Sequence, residues 1–470
     1  MKKYKKYEQY KDCDLIWLND IPEHWEILSF RNILVERNEK NSPIKSKERL
    51  SLSINKGVTL YADKTTNLDR FKDDFTKYKL AHDGDLVMNS MNMIVGAVGV
   101  SRYFGCVSPV YYTFSSDTKN PNSTKYYEYL FRSKIVQGVL FGLGRGLIAK
   151  DRGDGKYNTL RLKVSRNDLR SLKLPIPSLS EQIKIATFLD YKLVKINRFI
   201  QKKKQLINLL NEQKAAIINK AVTKGLDPNA KMKDSGIEWL GSFPEHWKTV
   251  RLKYDLIIKK GKNPERTTFD PISLPYLSME YLRGKTEMPL YVFPQENLVE
   301  IDANQVLILW DGANAGEIMK SKKGYLSSTM AILDISQNIF NEEFWYYFLK
   351  SKERLFKQDA NGTTIPHFDP TLLKETFWRI PPHIEQQQIV SFLENETATI
   401  NITISKIEKE IALTQEYKTA LIAEAVTGKI DVRDFEIPDT NEDESYEDIE
   451  EELSLAAEDE AEYQTEEIEE

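Results

Sequence analysis

Two stretches of the chain place apolar residues at alternating steps of four and three. In the first, Leu189, Leu193, Ile196, Ile200, Lys203, Ile207, Leu210, Lys214, Ile217 and Ala221 form the stripe, eight of the ten apolar. A shift of 204 residues puts Leu393, Thr397, Ile400, Ile404, Ile407, Ile411, Thr414, Lys418, Leu421 and Ala425 on the same positions, seven of ten apolar. A repeat of about 3.5 residues is the seam of a coiled coil, and two such helices in one chain pack most simply on each other. Each is predicted to run roughly 60 Å at about 1.5 Å per residue. Ser178, with Glu181 three residues on, reads as a capping box. The second copy has Pro382 in that place and must start its helix differently, while Gly225 and Gly428 fit the helix ends.

The stripes belong to a larger internal repeat. Residues 11–25, KDCDLIWLNDIPEHW, align without gaps to 233–247, KDSGIEWLGSFPEHW, with eight of fifteen positions identical, among them Trp17, Pro22, Glu23, His24 and Trp25 against Trp239, Pro244, Glu245, His246 and Trp247. Further on, Ile176-Pro177, Glu181-Gln182 and Ala221-Val222-Thr223 match Ile380-Pro381, Glu385-Gln386 and Ala425-Val426-Thr427. The first block repeats at an offset of 222 and the second at 204, so the region between Trp25 and Glu181 is 18 residues longer than its partner. The helical part of each unit keeps its length and the rest drifts.

The drifting parts, about 26–175 and 248–376, read as mixed α/β domains. Val107–Phe114 and Gln305–Trp310 suggest strands, and Lys125–Leu140 and Glu342–Phe356 suggest amphipathic helices. Each ends near a Gly-bearing polar loop, around Gly142–Gly155 and Asn361–Phe368, the kind of segment that carries binding residues. The expected class is α/β (α+β): two similar domains separated by two long antiparallel coiled-coil helices, related by an internal pseudo-two-fold repeat.

Length and charge sharpen this picture. A chain of 470 residues exceeds one ordinary core. Cys13 and Cys106 cannot build a disulfide framework or a CxxC metal site, so a reducing, cytoplasmic setting is expected. The basic N-terminus leads into Tyr7, Glu8 and Gln9 rather than an apolar run, and the sparsely charged stretch Leu86–Ser116 is broken by Asn, Gly and Pro, unlike a membrane span. Of the 71 acidic residues, 19 lie in 434–470, which has no Lys or Arg; residues 1–433 therefore hold 66 basic against 52 acidic, a net +14. A basic body suits phosphate contacts. The tail, low in aromatics and dense in charge, is expected to be disordered and to aid solubility, the alternative being that it folds back over the basic grooves and weakens non-specific binding.

Catalytic constellations are not legible. Ile380-Pro381-Pro382-His383 fails at both ends as the Asn/Asp-Pro-Pro-aromatic loop of an amino methyltransferase. Gly142-Leu143-Gly144-Arg145-Gly146 has its third glycine one place early for a dinucleotide cradle, and GxxxxGK[ST] does not occur. His24, His82, His246, His367 and His383 show no metal-ligand spacing. The repeated Pro-Glu-His-Trp string reads as structural, with Trp25 and Trp247 anchoring their domains and Glu and His capping the turn after proline. Lys202-Lys203-Lys204 reads as a solvated helix face.

These residues as an ordered set resemble the specificity subunit of type I restriction-modification enzymes. The resemblance covers nearly all of 11–430: Trp-Leu-x-x-[Ile/Phe]-Pro-x-His-Trp opens each half, Ile-Pro then Glu-Gln opens each long helix, and Ala-Val-Thr closes it. Gly84-Asp85-Leu86-Val87 with Gly96 and Gly99, and Val306-Leu307-Ile308 with Asp311-Gly312 and Gly316, are similar to the family as well. The resemblance implies target recognition domains over 1–176 and 227–379, spacer helices over 177–226 and 380–430, and a tail over 431–470 outside the family pattern. It implies a non-catalytic subunit that reads double-stranded DNA in two half-sites and docks two modification subunits, with restriction subunits joining. S-adenosylmethionine, ATP and magnesium are expected in those partners and no cofactor in this chain.

For DNA contact the candidates are Asn89, Ser90, Asn92, Arg145, Lys150 and Arg152 in the first domain and Lys262, Arg266, Asn314, Thr363, Thr364 and His367 in the second. Glu181, Gln182, Glu385 and Gln386 are the candidates for helix starts and subunit interfaces. The alternatives are a chain that itself methylates or cleaves DNA, which turnover by the purified protein alone would reveal, and a structural coiled-coil adaptor, which would leave both drifting domains without a task.

Overall fold

Both predicted stripes lie on long helices, Leu179–Lys224 and His383–Val426. A computed structural model of the chain describes residues 4–64, 74–147, 161–236, 241–284, 286, 288–293, 297–360 and 366–437. The chain divides into two compact units, Met1–Lys204 with Glu408–Glu470, and Gln205–Ile407, so each long helix contributes to both. None of the twenty stripe positions is exposed. In the first unit Lys418 donates to the Asn197 side-chain oxygen at 2.8 Å and Lys203 pairs with Glu410 at 2.8 Å. In the second, Lys214 donates to Asn401 at 2.8 Å, and Gly225, past the end of the first helix, lies against Glu385 near the start of the second. Within each unit the helices therefore run antiparallel. The polar seam residues are satisfied locally too: the Thr397 and Thr414 hydroxyls donate to the carbonyls four residues back, each at 2.6 Å.

The same scaffold is built twice. In the first unit a four-stranded antiparallel sheet has the order Val35–Glu36, Tyr111–Ser115, Leu86–Asn89, Val98–Val100. In the second the order is Leu256–Lys260, Met330–Ile335, Val306–Leu309, Ile318–Lys320, again antiparallel. Their central strands are buried on both faces, with Leu86, Val87 and Met88, and likewise Leu307 and Ile308, fully covered. The second unit adds a five-stranded sheet with one parallel pairing, Pro275–Leu277 beside Gly324–Leu326.

Two expected elements are divided. The run Val107–Phe114 splits into Gly105–Val107, which pairs with Lys79–Ala81, and Tyr111–Ser115 in the main sheet. Ser108-Pro109-Val110 separates them, where proline has no N–H for a ladder. The helix expected over Lys125–Leu140 is Thr124–Arg132 and Lys134–Leu143, broken at Ser133, whose hydroxyl donates to the Leu130 carbonyl at 2.6 Å and caps the Val136 amide. The counterpart Glu342–Asp359 is unbroken.

What joins sheet domain to helix is a repeated latch. Strand Glu26–Ser29, just after Trp25, pairs with Lys173–Ile176, just before the first long helix. Lys248–Arg251 pairs with Phe377–Ile380 in the same way. The two fixed sequence blocks thus meet in space, and the variable length between them is a closed excursion. Glu181 accepts from the Trp25 indole at 3.0 Å, from His24 Nε2 at 2.9 Å, and from the Tyr7 hydroxyl. Glu385 accepts from the Trp247 indole at 3.0 Å and His246 Nε2 at 2.7 Å. Burial, then the bond to Glu181, pushes the Tyr7 hydroxyl well above the usual tyrosine range. The histidine of each string therefore binds the helix start instead of capping its own turn, and the tryptophan anchors its domain to the same carboxylate.

The neighbouring glutamines complete the latch. Gln182 accepts from the Ser123 amide at 2.8 Å and donates to Asn122 and Pro177. Gln386 accepts from the Asn341 amide at 2.6 Å and donates to Ile339 and Pro381. Each string also meets the end of the other helix: a Cβ on Gly428 would come 2.5 Å from Pro22 and 3.1 Å from Trp25. With φ of 76° there, only glycine fits that approach.

Glu181 is 4% exposed and holds three donors, so Glu181→Gln leaves buried donors without a charged acceptor. Hydrogen bonds to charged groups are worth about 1.5–3 kcal/mol. Urea unfolding of Glu181→Gln is expected to show a loss of about 3 kcal/mol. The loss for Glu385→Gln should be smaller, since that carboxylate side chain is 22% exposed. Equal, negligible losses in both variants would contradict the latch.

Candidate nucleic-acid interface

In both units the central strand of the main sheet runs into a tight loop that ends on a left-handed glycine. In the first the loop spans Asn89 to Ala97; the Asn89 amide donates to the Ala97 carbonyl at 3.0 Å, and Gly96 has φ 96°. In the second, the Leu309 amide donates to Glu317 at 2.9 Å and Gly316 has φ 94°. A Cβ on Gly316 would meet the Phe356–Lys357 backbone at 2.8 Å, so the loop is pressed onto helix Glu342–Asp359. A returning segment crosses each loop: Val164 N donates to the Ser90 carbonyl at 3.0 Å, and Phe368 N to the Trp310 carbonyl at 2.8 Å. The frame is shared, with the same closing hydrogen bond, left-handed glycine and crossing amide, although Asn92 has φ −112° where Gly312 has φ 113°. The side chains, Asn89-Ser90-Met91-Asn92 against Leu309-Trp310-Asp311-Gly312, are not shared.

In the first unit the structure brings Asn89, Ser90 and Asn92 onto that loop. Asn92 is exposed, whereas the Asn89 side-chain oxygen is held by the Met91 amide at 3.1 Å. Ser90 is fully buried, its hydroxyl without a partner among the described residues, and it does not reach the surface as expected. The crossing segment ties Ser90 down at this point, since its carbonyl takes the Val164 amide. Arg145 lies on the neighbouring hairpin Arg145–Leu147 with Arg161–Lys163, its side chain 84% exposed and 4.0 Å from Asp168. Lys150 and Arg152 lie outside the described residues.

The second unit gathers a charged cluster. Asp311 accepts from Lys260 Nζ at 2.7 Å and pairs with His367 Nδ1 at 2.5 Å, and the two backbones form a bridge there. Lys260 also stands 5.6 Å from the centre of the Trp310 ring. Gly261 lets this edge lie flat, since a Cβ would come 2.2 Å from the Ser327 carbonyl, and Lys262 follows it, exposed. Asn314 is half-buried in the same loop. Arg266 is exposed elsewhere, its guanidinium 5.0 Å from the Phe293 ring beside the five-stranded sheet. Thr363 and Thr364 lie outside the described residues. The sequence reading missed Lys260, Trp310 and Asp311 as site residues, although the run Lys259-Lys260-Gly261-Lys262 was a visible basic signal.

Glu181, Gln182, Glu385 and Gln386 stand at the helix starts. Their side chains are engaged inside their own units, and Glu181, Gln182 and Gln386 are buried, which removes them as contact points for a partner. Among the described residues no group of three or more His, Cys, Asp or Glu could hold a metal ion, and no helix is long and apolar enough to cross a membrane.

Burial pushes the Asp311 carboxyl up, but hydrogen bonds from Lys260 and His367 outweigh it and hold it below the usual aspartate value. A depressed carboxyl contributes stability above its unfolded pKa of about 3.9, and that contribution is lost as pH falls through the folded pKa. Replacing Lys260 and His367 together by Ala leaves burial alone, so the Asp311 midpoint in a carboxyl-carbon NMR titration is expected to rise above its ordinary value. An unmoved midpoint would show that the cluster does not form in solution.

Comparisons with known proteins agree with this architecture. Residues 244–413 match the type I restriction modification DNA specificity domain. The chain is 37% identical over 171 residues to the type I restriction enzyme MjaVIII specificity subunit of Methanocaldococcus jannaschii, an alignment covering 35% of this chain and 40% of that relative. It is 22% identical over 448 residues to the putative MjaX specificity subunit of the same organism, covering 92% of this chain and 98% of the relative. A chain from a solved structure of the type I restriction-modification system shares the fold, with a TM-score of 0.63 at 15% identity over 87% of this chain and 99% of that one. Residues 244–413 thus match the type I restriction modification DNA specificity domain, and the chain as a whole is similar to the specificity subunits of type I restriction enzymes.

Proposed function

We propose that this chain is the DNA sequence-specificity subunit of a type I restriction-modification complex, with one half of a split target read by each of the domains 1–176 and 227–379. The observation that carries the proposal is the pair of equivalent loops, Asn89–Ala97 and Leu309–Glu317: one frame, closed in each case by the same hydrogen bond and a left-handed glycine and tied to a crossing segment, presenting different side chains. A reader of two unlike half-sites needs that combination. Helical segments 177–226 and 380–430 set the separation and dock two modification subunits, and restriction subunits complete the assembly. S-adenosylmethionine, ATP and magnesium belong to those partners, the chain itself being non-catalytic and cytoplasmic.

Contacts divide by chemistry. Asn89, Asn92, Asn314, Thr363, Thr364 and His367 suit base edges, where an amide side chain offers the donor and acceptor that adenine presents in the major groove. Arg145, Lys150, Arg152, Lys260, Lys262 and Arg266 suit phosphate, with Arg also fitted to guanine. Buried Ser90 is withdrawn from this set.

The test is the methylation pattern left by the assembled complex. Asn92→Ala is expected to relax the base requirement in one half of the modified motif, by about 1–3 kcal/mol at the affected position, and to leave the other half intact. Lys262→Ala should weaken binding to all sequences alike and lower the salt slope by about 0.9 for the phosphate lost. Asn92→Ala relaxing both halves, or neither, would contradict this reading, as would methyl transfer by the chain without its partners.

A further inference from the structure

Besides its seam, the first long helix carries a second stripe made of Phe188, Tyr191, Lys192, Lys195, Phe199 and Lys202. Phe188 is buried, while Lys195, Phe199 and Lys202 are exposed, Phe199 at 43%. Between Leu179 and Lys204 the helix has seven Lys or Arg against two acidic residues. The Lys192 and Lys195 ammonium groups stand 5.5 and 4.6 Å from the Tyr191 ring centre, a cation-on-aromatic surface.

The lower end of this stripe is already covered by the chain itself. Arg433 lies 5.0 Å over the ring of Tyr7, whose hydroxyl donates to Glu181 in the first turn of the helix. Two residues later the Phe435 ring meets Phe188 edge-on at 5.0 Å and Tyr191 at 5.7 Å, and its carbonyl accepts from Lys184 Nζ at 2.8 Å. Asp434 pairs with Lys5 at 2.8 Å. This stretch, read from the sequence as the start of the acidic tail, therefore packs on the helix. It climbs from the level of Glu181 to that of Tyr191, toward Lys195, Phe199 and Lys202.

We infer that the acidic segment following Ile437 continues along this stripe and lays its carboxylates against Lys192, Lys195 and Lys202, forming an intramolecular cover on the first long helix. Complementarity supports the occupant: residues 438–470 hold 17 Asp or Glu and no Lys or Arg. So does reach. From Tyr191 to Lys202 the helix rises roughly 17 Å at about 1.5 Å per residue. An extended chain rising about 3.3 Å per residue crosses that in about five residues, well within the 33 residues of 438–470. Any partner that docks on this face must displace the cover. The inference stands whether or not the chain reads DNA.

Amine acetylation kinetics, read lysine by lysine, test it on the full chain and on a chain ended at Ile437, which keeps the Arg433 and Phe435 contacts. At low salt Lys195 and Lys202 are expected to react severalfold more slowly in the full chain, while Lys248, exposed in the other unit, reacts equally in both. At about 1 M salt, where charges more than roughly 3 Å apart are screened, the difference should vanish. Carbodiimide cross-linking of the full chain should join carboxylates of 438–470 to Lys192, Lys195 or Lys202. Equal acetylation of Lys195 and Lys202 with and without the tail at low salt, or cross-links confined to lysines of 205–407, would overturn the inference.

Discussion

A single carboxylate at the foot of each long helix holds the architecture together. Glu181 and Glu385 each take the indole N–H of a tryptophan and the ring nitrogen of the histidine before it, from a string more than a hundred residues upstream. A buried carboxylate is costly unless donors surround it, and donors so placed are costly without the carboxylate. That mutual dependence fixes where each sheet domain sits on its helix start. Because Glu26–Ser29 pairs with Lys173–Ile176, and Lys248–Arg251 with Phe377–Ile380, everything between the two fixed blocks can change in length without moving the junction. The 18-residue difference between the copies is absorbed there.

The same junction separates two kinds of sequence. Seam residues, latch residues and helix-end glycines must keep their spacing, since one residue of helix shifts its end by about 1.5 Å and turns it by about 100°. The loops Asn89–Ala97 and Leu309–Glu317 carry a different burden. Gly96 and Gly316 supply the left-handed backbone, a crossing amide pins the second loop residue, and the remaining side chains are free to differ. In one unit they leave an exposed asparagine; in the other they build the Lys260–Asp311–His367 cluster. A constant frame with exchangeable contact residues is what a pair of dissimilar recognition surfaces requires.

Much of this was legible in the sequence because it was written twice. The seams were visible from spacing alone, and all twenty stripe positions are shielded. The latch was half legible: Pro-Glu-His-Trp and Glu-Gln recur together in both copies, but nothing local says that Trp25 anchors on Glu181 or that His24 reaches the same carboxylate rather than capping its own turn. The break at Ser133 was hidden because the apolar period runs through it, while one hydroxyl serves as the stop of one helix and the cap of the next. Ser90 misled because polarity suggested exposure, whereas it is buried and its carbonyl is bound by Val164, far along the chain. Asp311 was noticed as part of a motif, yet its partners Lys260 and His367 come from distant segments that only the folded sheet brings together.

The central claim is that paired helices hold two readers at a set separation along a duplex. It is tested most directly by adding one heptad to each helix at the same level, after Lys203 and before Glu410, which face each other, and sequencing the methylated sites made by the assembled complex. Seven helical residues add about 10.5 Å, or roughly three base pairs at 3.4 Å each. The account predicts both half-sites unchanged with the gap between them longer by about three base pairs. An unchanged gap, or altered half-site sequences at any gap, would contradict it.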